Sequence, residues 1–161
     1  VAQGVGVAAT IRVSHQFGER RFADARKAGF AASHISIALM ALSGIAFVLF
    51  NDTIPYIFTK DTEVLEIAAN LLYVAAAFQL FDAVQLSALA SLRALADVKW
   101  PLVMSIISYY GIGLPFAYFA GSHLGWGPVG VWLGLLLGLM IAAITYLYRF
   151  DKITKGFTTN E

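Results

Sequence analysis

The stretch FQLFDAVQLSALASLRALAD, residues 78–97, places one carboxylic acid inside a long apolar run. No other charged residue lies between Ile67 and Leu92, and this run exceeds the about 20 residues that a membrane-crossing helix needs. An acidic side chain at the centre of such a helix costs about 2.5 to 3.5 kcal/mol on insertion scales. The stretch therefore predicts a membrane helix and marks Asp82 as the first candidate functional residue.

The composition of the whole chain supports a lipid environment. Hydrophobic residues make up 59% of the sequence and charged residues 13%, whereas about a quarter of an ordinary soluble domain is charged. The mean hydropathy is +0.73. A net charge of +1 gives no basic footprint for nucleic acid. The sequence has no cysteine, which excludes disulfides, thiolate metal sites and cysteine nucleophiles.

Three further apolar runs accompany the one that contains Asp82. Together they predict four membrane helices, at residues 28–50, 67–92, 101–120 and 129–148. Residues 1–17 read as the end of a helix that is too short to cross the roughly 30 Å hydrocarbon core, so we expect a piece of a longer protein. We predict an all-α polytopic membrane helical bundle, with residues 1–161 as one membrane domain and residues 149–161 as its tail.

The basic residues are concentrated in alternate connections between these helices. One set comprises Arg20, Arg21, Arg26, Lys27, Arg93, Lys99, Arg149, Lys152 and Lys155, whereas the connections on the other side contain only Lys60. Because loops rich in lysine and arginine stay in the cytoplasm, the first set marks the cytoplasmic side. We expect a multi-pass protein of the cell inner membrane with a cytoplasmic C-terminus.

Glycine and proline indicate how the last two helices pack. Gly130, Gly134 and Gly138 recur every fourth residue, a spacing that lets two helix backbones approach closely. Pro115 falls inside the third predicted helix, just after Gly113. Because proline removes a helical hydrogen bond, a bend is expected there. Such a bend is either a structural kink or a functional hinge.

A small polar patch surrounds Asp82. Gln79 and Gln85 lie three residues to either side of it and therefore share its side of the helix, with Phe78 beside them. Lipid cannot satisfy these groups, so the patch must face protein or a water-filled cavity. A protonated packing residue, a fixed ion pair and an ion or proton site are the three explanations. Arg93, some 16 Å along the axis, is too far to be the ion-pair partner.

In an ion or proton site, the carboxyl is retained because it binds and releases a cation as the protein functions. Burial favours a neutral carboxyl group. A proton neutralises it directly, whereas a Na⁺ ion neutralises it with additional oxygen ligands from Gln79 and Gln85. A lipophilic organic cation against Phe78 would compete with either ion. Tyr109 or Tyr110 could offer a further aromatic wall, although two adjacent residues cannot share one face. We expect neither a cofactor nor a transition-metal site, and no enzyme activity, because no catalytic motif is found in the sequence.

Five segments resemble the multidrug and toxic compound extrusion (MATE) family, in its NorM-like branch. They are IRVSHQFGERRFADARKAG (11–29), FTKDTEV (58–64), QLFDAVQLSALASLRALAD (79–97), YYGIGLPFAY (109–118) and GPVGVWLGLLLGL (127–139). The resemblance implies that the chain runs from the end of helix eight to helix twelve, in the C-terminal lobe. It implies a secondary active antiporter that exports lipophilic cationic drugs in exchange for H⁺ or Na⁺, with the missing N-terminal lobe as its partner. It associates Asp82 with the coupling cation.

The sequence departs from the family pattern at two places. Phe78 stands where family members often have tyrosine, and Ala94 where many have glycine.

Two other functions remain open from the sequence. A flippase for a lipid-linked precursor would need basic residues along its cavity, and none lies inside the complete predicted helices. A non-transporting membrane scaffold would have no need of Asp82.

Overall fold

The computed structural model describes residues 2–51 and 53–158 of the chain. Seven α-helices follow one another: α1 (Ala2–Gly18), α2 (Phe22–Leu49), α3 (Thr53–Tyr56), α4 (Thr62–Ala94), α5 (Lys99–Ile106), α6 (Leu114–Tyr118) and α7 (Gly127–Thr158). Two π-helical segments, Ile107–Gly113 and Phe119–His123, follow α5 and α6, so that Lys99–His123 forms one continuous helix. No strand occurs in these ranges. The predicted all-α class is confirmed.

Four of these helices are long and apolar enough to cross a membrane. They are Phe22–Leu49, Thr62–Ala94, Lys99–His123 and Gly127–Phe157. The last three contain the predicted runs, and the first ends one residue before the predicted run 28–50 does. All four begin before the predicted residue. Residues 149–158, predicted as part of a tail, continue α7 as helix.

Helix α4 lies at the centre of the bundle and packs against α1, α2 and α7. Its first turn is capped by Asp61, whose Oδ1 accepts a hydrogen bond from the backbone N–H of Glu63 at 3.0 Å. Small residues line its contact with α2. The hydroxyl of Ser87 on α4 donates to that of Ser33 on α2 at 3.0 Å, and both side chains are buried. These small side chains let the two helices approach closely without lipid between them.

The glycine stripe of α7 packs against the Lys99–His123 helix. A methyl group at Gly134 would overlap the backbone of Ala117, and one at Gly130 would lie 2.8 Å from the backbone carbon of Ala120. A methyl group at Gly138 would lie 2.9 Å from the carbonyl oxygen of Ser108. The close backbone packing predicted from the spacing of these glycines is confirmed.

The basic segments assemble at one end of the bundle. Arg149 on α7 donates from Nε to Asp97 Oδ2 at 2.9 Å, and Asp97 follows α4. Arg26 on α2 and Lys155 on α7 both pair with Asp151. The three segments that alternation placed on one side thus meet at the same end. Which side of the membrane that end faces stays a prediction.

Candidate functional site

Asp82 lies in the middle of the apolar part of α4. At about 1.5 Å per residue it is some 22 Å from Ile67 and some 15 Å from Leu92. Its side chain is partly buried. No hydrogen bond or ion pair joins its carboxyl to another residue in the ranges that the structure describes. At this depth, the charge of Asp82 has no counter-charge within those ranges.

The Lys99–His123 helix brings a tyrosine to the same face of α4. The Tyr109 hydroxyl donates a hydrogen bond to Gln85 Oε1 at 3.1 Å. Asp82 lies three residues before Gln85 on α4, so it shares that side of the helix with this hydrogen bond. Its ring packs over α7, with Cδ1 3.3 Å from the point where a Cβ of Gly138 would lie. The missing side chain of this glycine gives the ring its room.

The ring of Phe78 closes the other side of the patch. It contacts Trp132 of α7 edge to face, with the ring centroids 5.8 Å apart and an angle of 71° between the planes. Phe78 lies one helical turn before Asp82 on the same face of α4. The carboxyl is therefore placed between an aromatic contact to α7 and the Gln85–Tyr109 hydrogen bond.

The structure does not bring all the predicted site residues together. Gln79 is partly buried and makes no hydrogen bond to any residue within 2–51 or 53–158. Tyr110 is 69% exposed and points away from the bundle, whereas its neighbour Tyr109 reaches Gln85. Of the two tyrosines, only Tyr109 joins the patch formed by Phe78, Asp82 and Gln85. We name these four residues the Asp82 patch.

The backbone that presents Tyr109 is π-helical rather than simply bent. In the segment Ile107–Gly113 the turn widens, and the N–H of Leu114 bonds to the carbonyl oxygen of Tyr109, five residues back. Pro115 follows at once and has no N–H to give to the preceding turn. Gly113 is buried here, where a Cβ would lie 3.2 Å from the carbonyl oxygen of Gly134. The expected irregularity at Gly113 and Pro115 thus takes the form of a widened turn.

Sequence reasoning missed Ser108, which lies beside Tyr109 in the same turn. Its side chain is fully buried, and its hydroxyl has no hydrogen-bond partner in the described part of the chain. A serine inside an apolar run is usually bonded to the carbonyl four residues back. The sequence does not indicate that Ser108 lacks this hydrogen bond. The bond is lost because the π-helical turn alters which carbonyls the hydroxyl can reach.

The chemistry of the Asp82 patch follows from its oxygen atoms. It contains one carboxyl, one amide oxygen and one phenol oxygen, with an aromatic ring beside them. The described residues include no group of three or more histidine, cysteine or carboxylate side chains that could hold a metal ion. A single carboxyl is neutralised by one proton or one monovalent cation. The patch can therefore bind a small cation of single charge, or an organic cation against its rings.

Comparisons with known proteins agree on one family. The MatE family model matches residues 1–119. A probable multidrug resistance protein NorM of Rhodopseudomonas palustris is 37% identical over 159 residues, which cover 96% of this chain and 34% of that protein. A protein of the same description from Xanthomonas axonopodis pv. citri is 37% identical over 158 residues, covering 98% and 34%. The chain thus spans about a third of the length of these relatives.

Solved structures show the same fold. One is the inward-facing conformation of a multidrug resistance MATE family transporter of the MOP superfamily, with a TM-score of 0.85 and 20% identity over 96% of this chain and 36% of that one. Another is the eukaryotic MATE transporter AtDTX14, with a TM-score of 0.82 and 19% identity over 97% and 37%. At these identities the likeness concerns the fold alone.

Proposed function

The chain belongs to the MatE family, whose model matches residues 1–119, and we propose that it forms the C-terminal part of a cation-coupled multidrug efflux antiporter. The resemblance seen in its sequence motifs is thereby confirmed at the level of the family. Members of this family are transporters, in agreement with the expectation that the chain is not an enzyme. The coupling ion, the substrates and the orientation are parts of the proposal.

One observation carries this proposal: Asp82 lies deep in the apolar helix without a partner among the described residues. A protonated packing residue would donate a hydrogen bond to a neighbouring helix, and no such bond is present in these ranges. A fixed ion pair would need a base, and the nearest one on α4 is Arg93, about 16 Å away. The absence of both among the described residues supports neutralisation by an ion that arrives from outside, either H⁺ or Na⁺.

The groups around Asp82 support exchange rather than permanent binding. Gln85 and Tyr109 supply oxygen atoms beside the carboxyl, and Phe78 supplies an aromatic face. A lipophilic cationic substrate would be attracted to the same carboxyl and the same rings, so it competes with the coupling ion. Antiport follows when the two occupants are released on opposite sides of the membrane. The missing N-terminal lobe would form the other half of the cavity.

The proposed orientation places the C-terminus in the cytoplasm of a cell whose inner membrane holds the protein. It is supported by the end of the bundle at which Arg26, Arg149 and Lys155 meet. Basic residues of short loops stay on the cytoplasmic side. A lipid-linked precursor is a less suitable cargo, because its phosphates require bases and the Asp82 patch contains none.

The test is to neutralise Asp82 in the protein expressed from its complete gene. We expect Asp82→Asn to reduce the efflux of ethidium to the background level, after correction for the amount of protein in the membrane. Glu66→Gln is the matched control, since it removes an exposed carboxylate from the same helix outside the apolar run. Wild-type efflux in Asp82→Asn would refute the mechanism and favour a scaffold or another transporter.

A further inference from the structure

A groove between α1 and α2 lies on the surface of the part of the protein that the structure describes, and no residue of the Asp82 patch lines it. Its volume is about 480 Å³. Small side chains create the space, because alanine leaves a gap where larger residues would join the two helices. The apolar part of its lining consists of Val5, Ala8, Ala9, Ala28, Ala31, Ala32 and Ile35.

The rim of the groove is basic. Arg12, Arg21 and Lys27 line it against a single acid, Asp24, which gives a net charge of +2. Asp24 is 2.7 Å from Arg21 Nη2 and 3.8 Å from Lys27 Nζ, whereas Glu19 approaches Arg21 from outside the groove at 3.7 Å. The guanidinium of Arg12 has no hydrogen bond or ion pair with any residue of 2–51 or 53–158. A positive charge therefore remains available at the rim.

The charged and apolar parts lie at different depths. Arg12 and Lys27 are each within about two turns of the connection between α1 and α2, at the end of the bundle that carries the ion pairs. Val5 lies about 10 Å beyond Arg12 along α1, and Ile35 about 12 Å beyond Lys27 along α2. The bases thus reach the headgroup level, and the apolar floor extends from there into the hydrocarbon layer.

We propose that this groove binds an anionic phospholipid, whose phosphate contacts Arg12 and Lys27 and one of whose acyl chains lies along the alanine floor. Basic pockets between membrane helices are suited to anionic headgroups. A zwitterionic lipid gains nothing from the net charge of the rim. A soluble phosphate compound gains nothing from the floor. This binding does not depend on the proposed transport function.

Native mass spectrometry of the protein expressed from its complete gene tests the proposal with two probes, phosphatidylglycerol and phosphatidylcholine. We expect phosphatidylglycerol to bind more tightly, and Arg12→Gln to weaken it about fivefold, as one charge near a lipid surface contributes. Ala31→Leu should weaken it several-fold by filling the floor.

Each variant has a matched control at the same end or on the same helix. Lys152→Gln removes an exposed base outside the groove, and Ala38→Leu adds the same bulk at an exposed position of α2 outside it. Both should bind lipid as the wild type does. Thermal unfolding of all four variants checks that each is folded.

Several results would overturn the proposal. They are equal binding of the two lipids, an unchanged affinity in either Arg12→Gln or Ala31→Leu, and a loss in Lys152→Gln as large as that in Arg12→Gln. Glycerol phosphate that bound as tightly as phosphatidylglycerol would also overturn it, because the acyl chain would then contribute nothing.

Discussion

The polar side chains on two faces of α4 differ in their hydrogen bonding. Toward α2, the hydroxyl of Ser87 bonds to Ser33 and to the carbonyl of Ala83, and that of Ser91 bonds to the carbonyl of Ser87. Toward the Lys99–His123 helix and α7, the carboxyl of Asp82 has no partner among the described residues. The two faces adjoin, since Asp82 and Ala83 are neighbours in the chain.

The difference lies in what each group costs when it stays unbonded. The contact of α2 and α4 also contains one unbonded hydroxyl, that of Ser36. An unpaired hydroxyl costs about 1 to 3 kcal/mol, whereas an ionised carboxylate costs far more and must be neutralised. A membrane helix can contain an unpaired hydroxyl as an imperfection of its packing. An ionised carboxylate is tolerated where an ion neutralises it. For this reason the Asp82 patch, and not the contact with α2, is the functional candidate.

The largest expected effect is the replacement of the carboxyl by an apolar side chain. We expect Asp82→Leu to raise the free energy of unfolding, because it removes an acid whose cost at the centre of a membrane helix is about 2.5 to 3.5 kcal/mol on insertion scales. The same variant should abolish efflux. The free energy comes from reversible unfolding in mixed detergent micelles, and efflux is measured in cells.

The matching change on the other face should have the opposite sign. Ser87→Leu fills a site that is already fully packed, and we expect it to lower the free energy of unfolding by about 1 to 3 kcal/mol. If both leucine variants destabilised the protein equally, the two faces would not differ and Asp82 would be an ordinary packing residue.

The fold was largely predictable from the sequence, because lipid imposes simple demands on length and charge. The run around Asp82 predicted α4, and the glycines at positions 130, 134 and 138 predicted the packing of α7. Both signals lie within one helix. The continuation of α7 beyond Tyr148 was not predicted. Ion pairs such as Arg26 with Asp151 accompany it, and their partners are far apart in the chain.

The geometry of the site was predictable only in part. The depth of Asp82 follows from counting residues, but the choice between Tyr109 and Tyr110 depends on the rotation of the helix that carries them. That rotation is set by the π-helical turn, for which hydrophobic periodicity has no signal. The contact of Phe78 with Trp132 likewise joins two helices whose relative position the sequence does not state.

A smaller effect is expected from the hydroxyl of Tyr109. Tyr109→Phe removes the hydrogen bond to Gln85 and should lower the free energy of unfolding by about 1 kcal/mol. If the Asp82 patch binds the coupling ion, the ion concentration that gives half-maximal efflux should rise several-fold while the maximal rate changes little. Tyr110→Phe is the matched control, because that side chain is 69% exposed, and it should change neither quantity. An equal effect of both variants would remove Tyr109 from the patch.

The smallest effect concerns the contact of α2 and α4. Interhelical hydrogen bonds in membranes contribute only about 0.6 kcal/mol on average, because each group finds another partner when the bond is lost. We expect a coupling energy of that size between Ser33→Ala and Ser87→Ala, from the unfolding free energies of the two single variants and the double variant. Both hydroxyls also bond to carbonyls of their own helices, at Gly29 and at Ala83, which limits what each single change can cost. A coupling energy of 2 kcal/mol or more, against the about 0.6 kcal/mol expected, would mean that the polar contact on this face also contributes strongly to stability. The contrast with the Asp82 patch would then be refuted.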